Sequence, residues 1–163
     1  MAISGRIGLT IDLEDIRATD AGSAREKISL GPAWDVVAGS GNGQANLMFA
    51  DVRALADGAN ESLDLAGALA NAFGAAVFTK VKAIAIIAAA ANTTALTVSR
   101  GATTPLPWLT ATAAIADLDA GDIFYLSKKN AGITVGAGTA DLITITNASG
   151  AAASYTVVFV GLS

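Results

Sequence analysis

The residues in this chain able to do chemistry are few. There is no histidine and no cysteine. The commonest general base, the side chain that switches charge near neutrality and the usual zinc or copper ligand are therefore missing. Ser-His-Asp and Cys-His mechanisms are impossible within the chain, and neither disulfides nor thiolate chemistry can arise. What remains is carboxylates and glycine-rich turns. Asp117, Asp119 and Asp122, in DLDAGD, are the densest carboxylates of the second half. Alternate oxygens beside a glycine can wrap calcium, but an EF-hand loop closes with a glutamate at its twelfth position. Lys128 and Lys129 stand there instead, so a solvated Asp-Gly turn is expected. Asp12, Glu14 and Asp15 form a second acidic group at a strand end. Carboxylate pairs that cleave glycosides flank the scissile bond across a cleft, and two Trp and two Tyr leave little for aromatic platforms there.

Gly39 to Gly43, GSGNG, has the look of a phosphate loop. A P-loop continues into Gly-Lys-Ser/Thr and a helix, and the dinucleotide fingerprint needs a third glycine where Gln44 stands. A hairpin turn is the expected role. Three Asn-x-Ser/Thr triplets begin at Asn60, Asn92 and Asn147; in a chain rich in Asn, Ser and Thr these read as turn residues rather than glycosylation sites. Ten basic residues are scattered from Arg6 to Lys129, with close pairs at Lys80/Lys82 and Lys128/Lys129. That is too sparse for the basic stripe that binds nucleic acid. No catalytic residue, cofactor site or metal site is expected.

The elements around these residues read as mainly β. Ile7, Leu9, Ile11 and Leu13 alternate with Gly8, Thr10, Asp12 and Glu14, the pattern of a strand with one buried face. RATDAGSA, Arg17 to Ala24, reads as a turn. A strand at Glu26 to Leu30 follows, then a short apolar piece at Trp34 to Ala38 and a long strand through Ala45, Leu47 and Phe49 to Leu55. From Leu65 to Phe73 the spacing Leu65, Leu69, Ala72, Phe73 predicts a short helix stopped at Gly74. The run Val77 to Ala90 is rich in Ala, yet its β-branched Val77, Thr79, Val81, Ile84, Ile86 and Ile87 favour a central strand. Strands are expected at Leu96 to Val98, Trp108 to Ile115, Ile123 to Leu126 and Ile133 to Val135. Leu142 to Thr146 and Tyr155 to Val160 read as a C-terminal hairpin. Short strands at this spacing predict a β-sandwich or jelly-roll-like single domain over residues 1–163.

Composition bears on partners. The chain has 163 residues, is 53% hydrophobic and only 15% charged, with a net charge of -4, against about 25% charged in a typical soluble domain. So little charge suggests that neighbouring subunits cover part of the surface. Residues 1 to about 60 carry more charge than the rest, and residues 1–40 read as an extended arm over a neighbour. MAISGRIGLTIDLED lacks a charged leader and apolar block, so no secretory signal is expected. The Ala-rich uncharged run Ala83 to Ser99 has 17 residues, short of the roughly 20 a spanning helix needs.

Residues 43–163 resemble small proteins encoded in the structural modules of tailed bacteriophages. The resemblance lies in Gly43-Gln44-Ala45-Asn46, Leu63-Asp64-Leu65-Ala66-Gly67-Ala68-Leu69, Phe73-Gly74, Lys80-Val81-Lys82-Ala83-Ile84 and Asn92-Thr93-Thr94. It continues in Gly138-Thr139-Ala140-Asp141-Leu142-Ile143-Thr144 and in Tyr155-Thr156-Val157-Val158 through Gly161. Similar chains often carry Pro-Gly-Gly where this one has Asp119-Ala120-Gly121-Asp122. The resemblance implies a non-enzymatic virion protein, foremost a capsid decoration (cement) protein. It implies a β-rich homotrimer at three-fold positions of the head shell, bound to the major capsid protein and made in the bacterial cytoplasm. Other roles compatible with the sequence are a tail fibre, spike or neck component, or a carbohydrate-binding module using Trp34 and Trp108. Neither nucleic acid nor membrane is an expected partner.

Overall fold

A computed structural model describes residues 3–19, 22–67, 69–72, 74–101, 103, 105–107, 114–148 and 150–163. In chain order the strands are β1 (Gly5–Gly8), β2 (Ile11–Thr19), β3 (Gly22–Leu30), β4 (Ala33–Ala38), β5 (Gln44–Ala45), β6 (Leu47–Leu55), β7 (Asn60–Asp64) and β8 (Ala70–Asn71). They continue with β9 (Gly74–Ala75), β10 (Lys80–Ala88), β11 (Leu96–Arg100), β12 (Ala114–Leu118), β13 (Ile123–Ser127), β14 (Ile133–Thr134), β15 (Leu142–Asn147) and β16 (Ala153–Leu162). Two antiparallel sheets face each other as a sandwich. One runs β13-β10-β16-β6, with β14 also on β10; the other runs β12-β11-β15-β7. The expected β-sandwich is the observed architecture.

Alternation builds the core. In β16, Tyr155, Val157 and Phe159 point inward, and in β15, Ile143 and Ile145 do so from the opposite sheet. Phe159 stacks on Phe49 of β6 at 6.0 Å and meets the edge of Phe78 at 6.1 Å, the offset and edge-on geometries that aromatic quadrupoles prefer. The apolar run after Gly74 is indeed a central strand: β10 lies between β13 and β16. It carries a bulge, because Val81 pairs with Gly161 and Ala83 with Val160, leaving Lys82 as the extra residue. A side chain at Gly161 would put its Cβ 2.0 Å from the Lys80 carbonyl oxygen, so only glycine lets the two strands close here.

Several expectations are corrected. The helix over Leu65 to Phe73 does not form among the described residues. The chain turns at 65–67 and makes the two-residue ladder β8–β9, Asn71 opposite Gly74. Leu65 and Leu69 are nonetheless buried. Their backbone is satisfied at long range: the Leu65 amide donates to the Asp141 carbonyl, and the Leu65 carbonyl accepts from Phe78. Nine residues are too few to nucleate a helix cheaply, so these contacts win. Gly74 does take the positive φ, 109°, that a chain reversal needs. The C-terminal hairpin is also absent, for β15 pairs with β11 and β7 while β16 pairs with β10 and β6. The two strands face one another across the core instead. Asn147 secures that crossing, its buried Nδ2 donating to Ala56 and Ala151 carbonyls, both at 2.8 Å. The expected strand from Trp108 to Ile115 lies largely outside the described residues; β12 begins at Ala114.

Candidate interaction surface

Outside the sandwich, the first 45 residues make a separate structure. β1 pairs with β4 and β2 pairs with β3, and the two ladders keep one register, from Gly5 opposite Val36 to Thr19 opposite Gly22. They form one long β-ribbon. The ladder is interrupted where Pro32 lacks an amide to donate, and Leu9 still donates its amide to the Pro32 carbonyl at 3.2 Å. The turn expected over Arg17 to Ala24 is therefore shorter, since Arg17–Thr19 and Gly22–Ala24 are already strand.

The base of the ribbon is seated on the sandwich. Trp34, Val36 and Ala45 are buried with Ala83 of β10 and Val160 of β16, and Ile3 and Ile7 pack against them. This small core covers one row of the outward face of the larger sheet. The distal ribbon, β2 with β3, pairs only with itself among the described residues. Directly opposed residues share a face, so Ile11 with Leu30 and Leu13 with Ile28 make one apolar face. Leu13 is 61% exposed and Leu30 55%. The period read for Ile7 to Leu13 is right, while the burial expected for it is corrected: of these residues only Ile7 packs on the body, because the sheet ends beneath the ribbon.

The opposite ribbon face is mostly polar and internally paired, with Ile16 exposed on it. Ser29 donates to Asp12 at 2.5 Å and Arg25 pairs with Glu14 at 3.0 Å. On the apolar side Arg17 pairs with Asp15 at 2.7 Å. The acidic group Asp12, Glu14, Asp15 therefore lies along an exposed ribbon, on both of its faces, with no cleft between the carboxylates.

The larger sheet also has an uncovered outward face. Register places Tyr125, Ala85, Val158 and Ala50 in one cross-strand row and Ile123, Ile87, Thr156 and Val52 in the next. Val52 is 72% exposed and Ile123 63%. Where the ribbon base meets this face, a largely apolar groove of about 270 Å³ opens between Ile3, Ile7, Met48, Ala85, Tyr125 and Val158.

Gly39 to Gly43 anchors the ribbon base. This loop does not make the expected hairpin turn: β5 runs parallel to β4, with Val37 beside Gln44. Gly39 and Gly43 have φ of 146° and 69°, which lets the chain double back within five residues. Three amides of this stretch are already engaged. Gly41 donates to the Gln44 side chain at 2.9 Å, Gly43 to the Lys129 carbonyl at 3.1 Å and Gln44 to the Gly41 carbonyl at 3.2 Å. The carbonyls turn inward. Lys82 Nζ donates to Gly41 O at 2.6 Å and Gln44 O at 2.7 Å, and Trp34 Nε1 to Gly43 O at 2.7 Å. Lys82 is 2% exposed; burial, with Lys80 adding to it, lowers its pKa below the ordinary lysine range. A bulge re-aims a side chain, which is how a lysine of an apolar central strand reaches a loop. Nothing in the sequence around Lys82 announces that role.

A second polar group missed by the sequence reading links the two sheets. Arg53 of β6 bonds Glu61 of β7 at 2.7 Å and lies 3.2 Å from Asp51, and Tyr155 donates a short hydrogen bond to the other Glu61 oxygen. Burial, then the hydrogen bond to Glu61, raises the Tyr155 pKa well above the ordinary tyrosine range. Burial opposes the Arg53 charge, but the bond to Glu61 and its negative charge hold the Arg53 pKa above its usual value. Sequence spacing cannot show this group, whose members come from three strands.

Asp117, Asp119 and Asp122 take up separate tasks. Thr97 donates to Asp117 at 2.7 Å, while Asp122 accepts from the Asp119 amide at 3.0 Å and closes the turn between β12 and β13. Among the described residues no group of three potential ligands is gathered for a metal ion. Asn92 clamps Ser154 through its amide and carbonyl, whereas Asn60 and Asn147 are strand residues rather than turns. Of the two candidate sugar-binding tryptophans, Trp34 is buried under the ribbon and Trp108 lies outside the described residues. No family model matches the chain, and no curated protein and no solved structure is significantly similar to it.

Proposed function

We propose that this chain is a non-catalytic structural subunit of a bacteriophage particle, foremost a capsid decoration protein that binds the major capsid protein on the head as a homotrimer. One observation carries the reading: a ribbon built on the sandwich bears an apolar face, formed by Ile11, Leu13, Ile28 and Leu30, that its own chain leaves bare. Such a face on an otherwise well-packed domain marks an interaction site. The low charge of the chain and the run of motifs resembling tailed-phage virion proteins support the same conclusion. The polar clusters support it as well, since Lys82, Arg53, Glu61 and Tyr155 are engaged with one another or with backbone.

Two measurements test it. Light scattering on the purified protein at micromolar concentration is expected to give three times the 16.2 kDa chain mass, and a clean monomer counts against the trimer. Antibody-gold labelling of particles from a phage carrying this gene is expected to cover the head in many copies. Labelling confined to the tail or neck replaces decoration with a tail-component role.

A further inference from the structure

We infer that the distal ribbon of one copy lies across the uncovered outward face of the larger sheet in a second copy, head to tail, so that the copies close into a ring. This rests on the homo-oligomer reading above and specifies the surfaces that make it. The match already exists within one chain. Ile7, Trp34 and Val36, on the ribbon base, pack on Ala83 and Val160 of the sheet. The unbroken register continues that ribbon face as Ile11, Leu13, Ile28 and Leu30, and the sheet face continues as Ala85, Val158, Thr156 and Val52. Each surface carries on past the point where its partner in the same chain stops.

Area favours a ring over a single contact. Nine residue pairs make a ribbon about 30 Å long and about 10 Å wide, hence roughly 300 Å² of face. One such contact falls well short of the roughly 800 Å² per partner typical of stable interfaces. In a closed head-to-tail ring every copy gives one face and receives another, which doubles its buried share, and closure prevents open filaments.

A chain without cysteine makes the test direct. Leu13→Cys and Val52→Cys proteins are mixed, oxidised and run without reductant, with Thr97→Cys on the other sheet as the alternative partner. A Leu13–Val52 covalent dimer, with no Leu13–Thr97 dimer, is the expected result. An oligomer by light scattering that gives no Leu13–Val52 adduct overturns the ribbon contact and leaves the trimer standing. A monomer that gives no adduct removes both. A second variant, Leu13→Glu with Ile28→Glu, alters residues that pack on nothing else in the chain. It is expected to keep the wild-type circular dichroism and fall about threefold in mass, to 16.2 kDa. If it stays oligomeric but no longer binds capsids, the ribbon belongs to the capsid protein and the inference is overturned.

Discussion

Replacing Lys82 by methionine probes the link between the sandwich and the ribbon base. The variant keeps an unbranched stem, which packs beside Gly132 where the Lys82 Cγ lies 3.2 Å from the position of a Cβ. It removes the ammonium that binds Gly41 O and Gln44 O. A hydrogen bond from a charged donor contributes about 1.5–3 kcal/mol, and an acceptor left unmet costs about 1–3 kcal/mol. Two such bonds are lost. Against them stands relief from burying a charge, which the lowered Lys82 pKa reports, and water reaches the exposed side of Gly41. A net loss of about 2–3 kcal/mol remains, equivalent to about 4–12 °C in Tm for a chain of this size. The sign with pH is the sharper test. Because the folded-state pKa lies below the unfolded value of 10.5, the unfolded chain binds more protons between those two values. Stability from Lys82 therefore rises with pH through that window and is complete above 10.5. The neutral amine still donates hydrogens, so the gap between wild type and Lys82→Met widens as pH rises toward 10.5. Paired urea titrations at several pH values measure it. A gap that narrows as pH rises refutes the burial penalty on the Lys82 charge, and a variant as stable as wild type at pH 7 refutes the view that Lys82 holds this loop.

Tyr155→Phe is expected to lower stability by about 1–2 kcal/mol, since it deprives Glu61 of a buried donor. The Tyr155 pKa lies above its unfolded value of 10.0, so the wild-type contribution is complete below pH 10 and is lost as pH rises beyond it; alkaline melts should show that slope in wild type and not in the variant. Gly161→Ala forces a Cβ onto the Lys80 carbonyl and should cost about 3 kcal/mol or more, read as a drop in the denaturant midpoint; an unchanged midpoint refutes the close approach of β10 and β16. Asn147→Ala leaves carbonyls of Ala56 and Ala151 without their donor and should cost about 2–3 kcal/mol, with faster amide exchange at residues 56–59 and 148–152 as the local signature.

The sequence by itself determined the strands. Period-two alternation and β-branched residues placed β6, β10, β11, β13, β15 and β16, because a strand's two faces are written in every second residue. It also determined what chemistry the chain lacks, since missing histidine and cysteine need no fold to interpret. Tertiary structure decided which strands pair. Leu142–Thr146 and Tyr155–Val160 read as neighbours, yet they lie in opposite sheets, because each buries its apolar face against the other across the core. Tertiary contacts also overruled the helical spacing of Leu65 and Leu69, whose backbone finds partners in residues far along the chain. The candidate surface shows the division best. Alternation from Ile7 to Leu13 announced an apolar face, but local pattern cannot say whether the body extends beneath it. Only the assembled sheet, ending under Leu9, leaves Ile11, Leu13, Ile28 and Leu30 bare, and only the bulge at Lys82 turns a core lysine into the anchor of the loop that holds the ribbon in place.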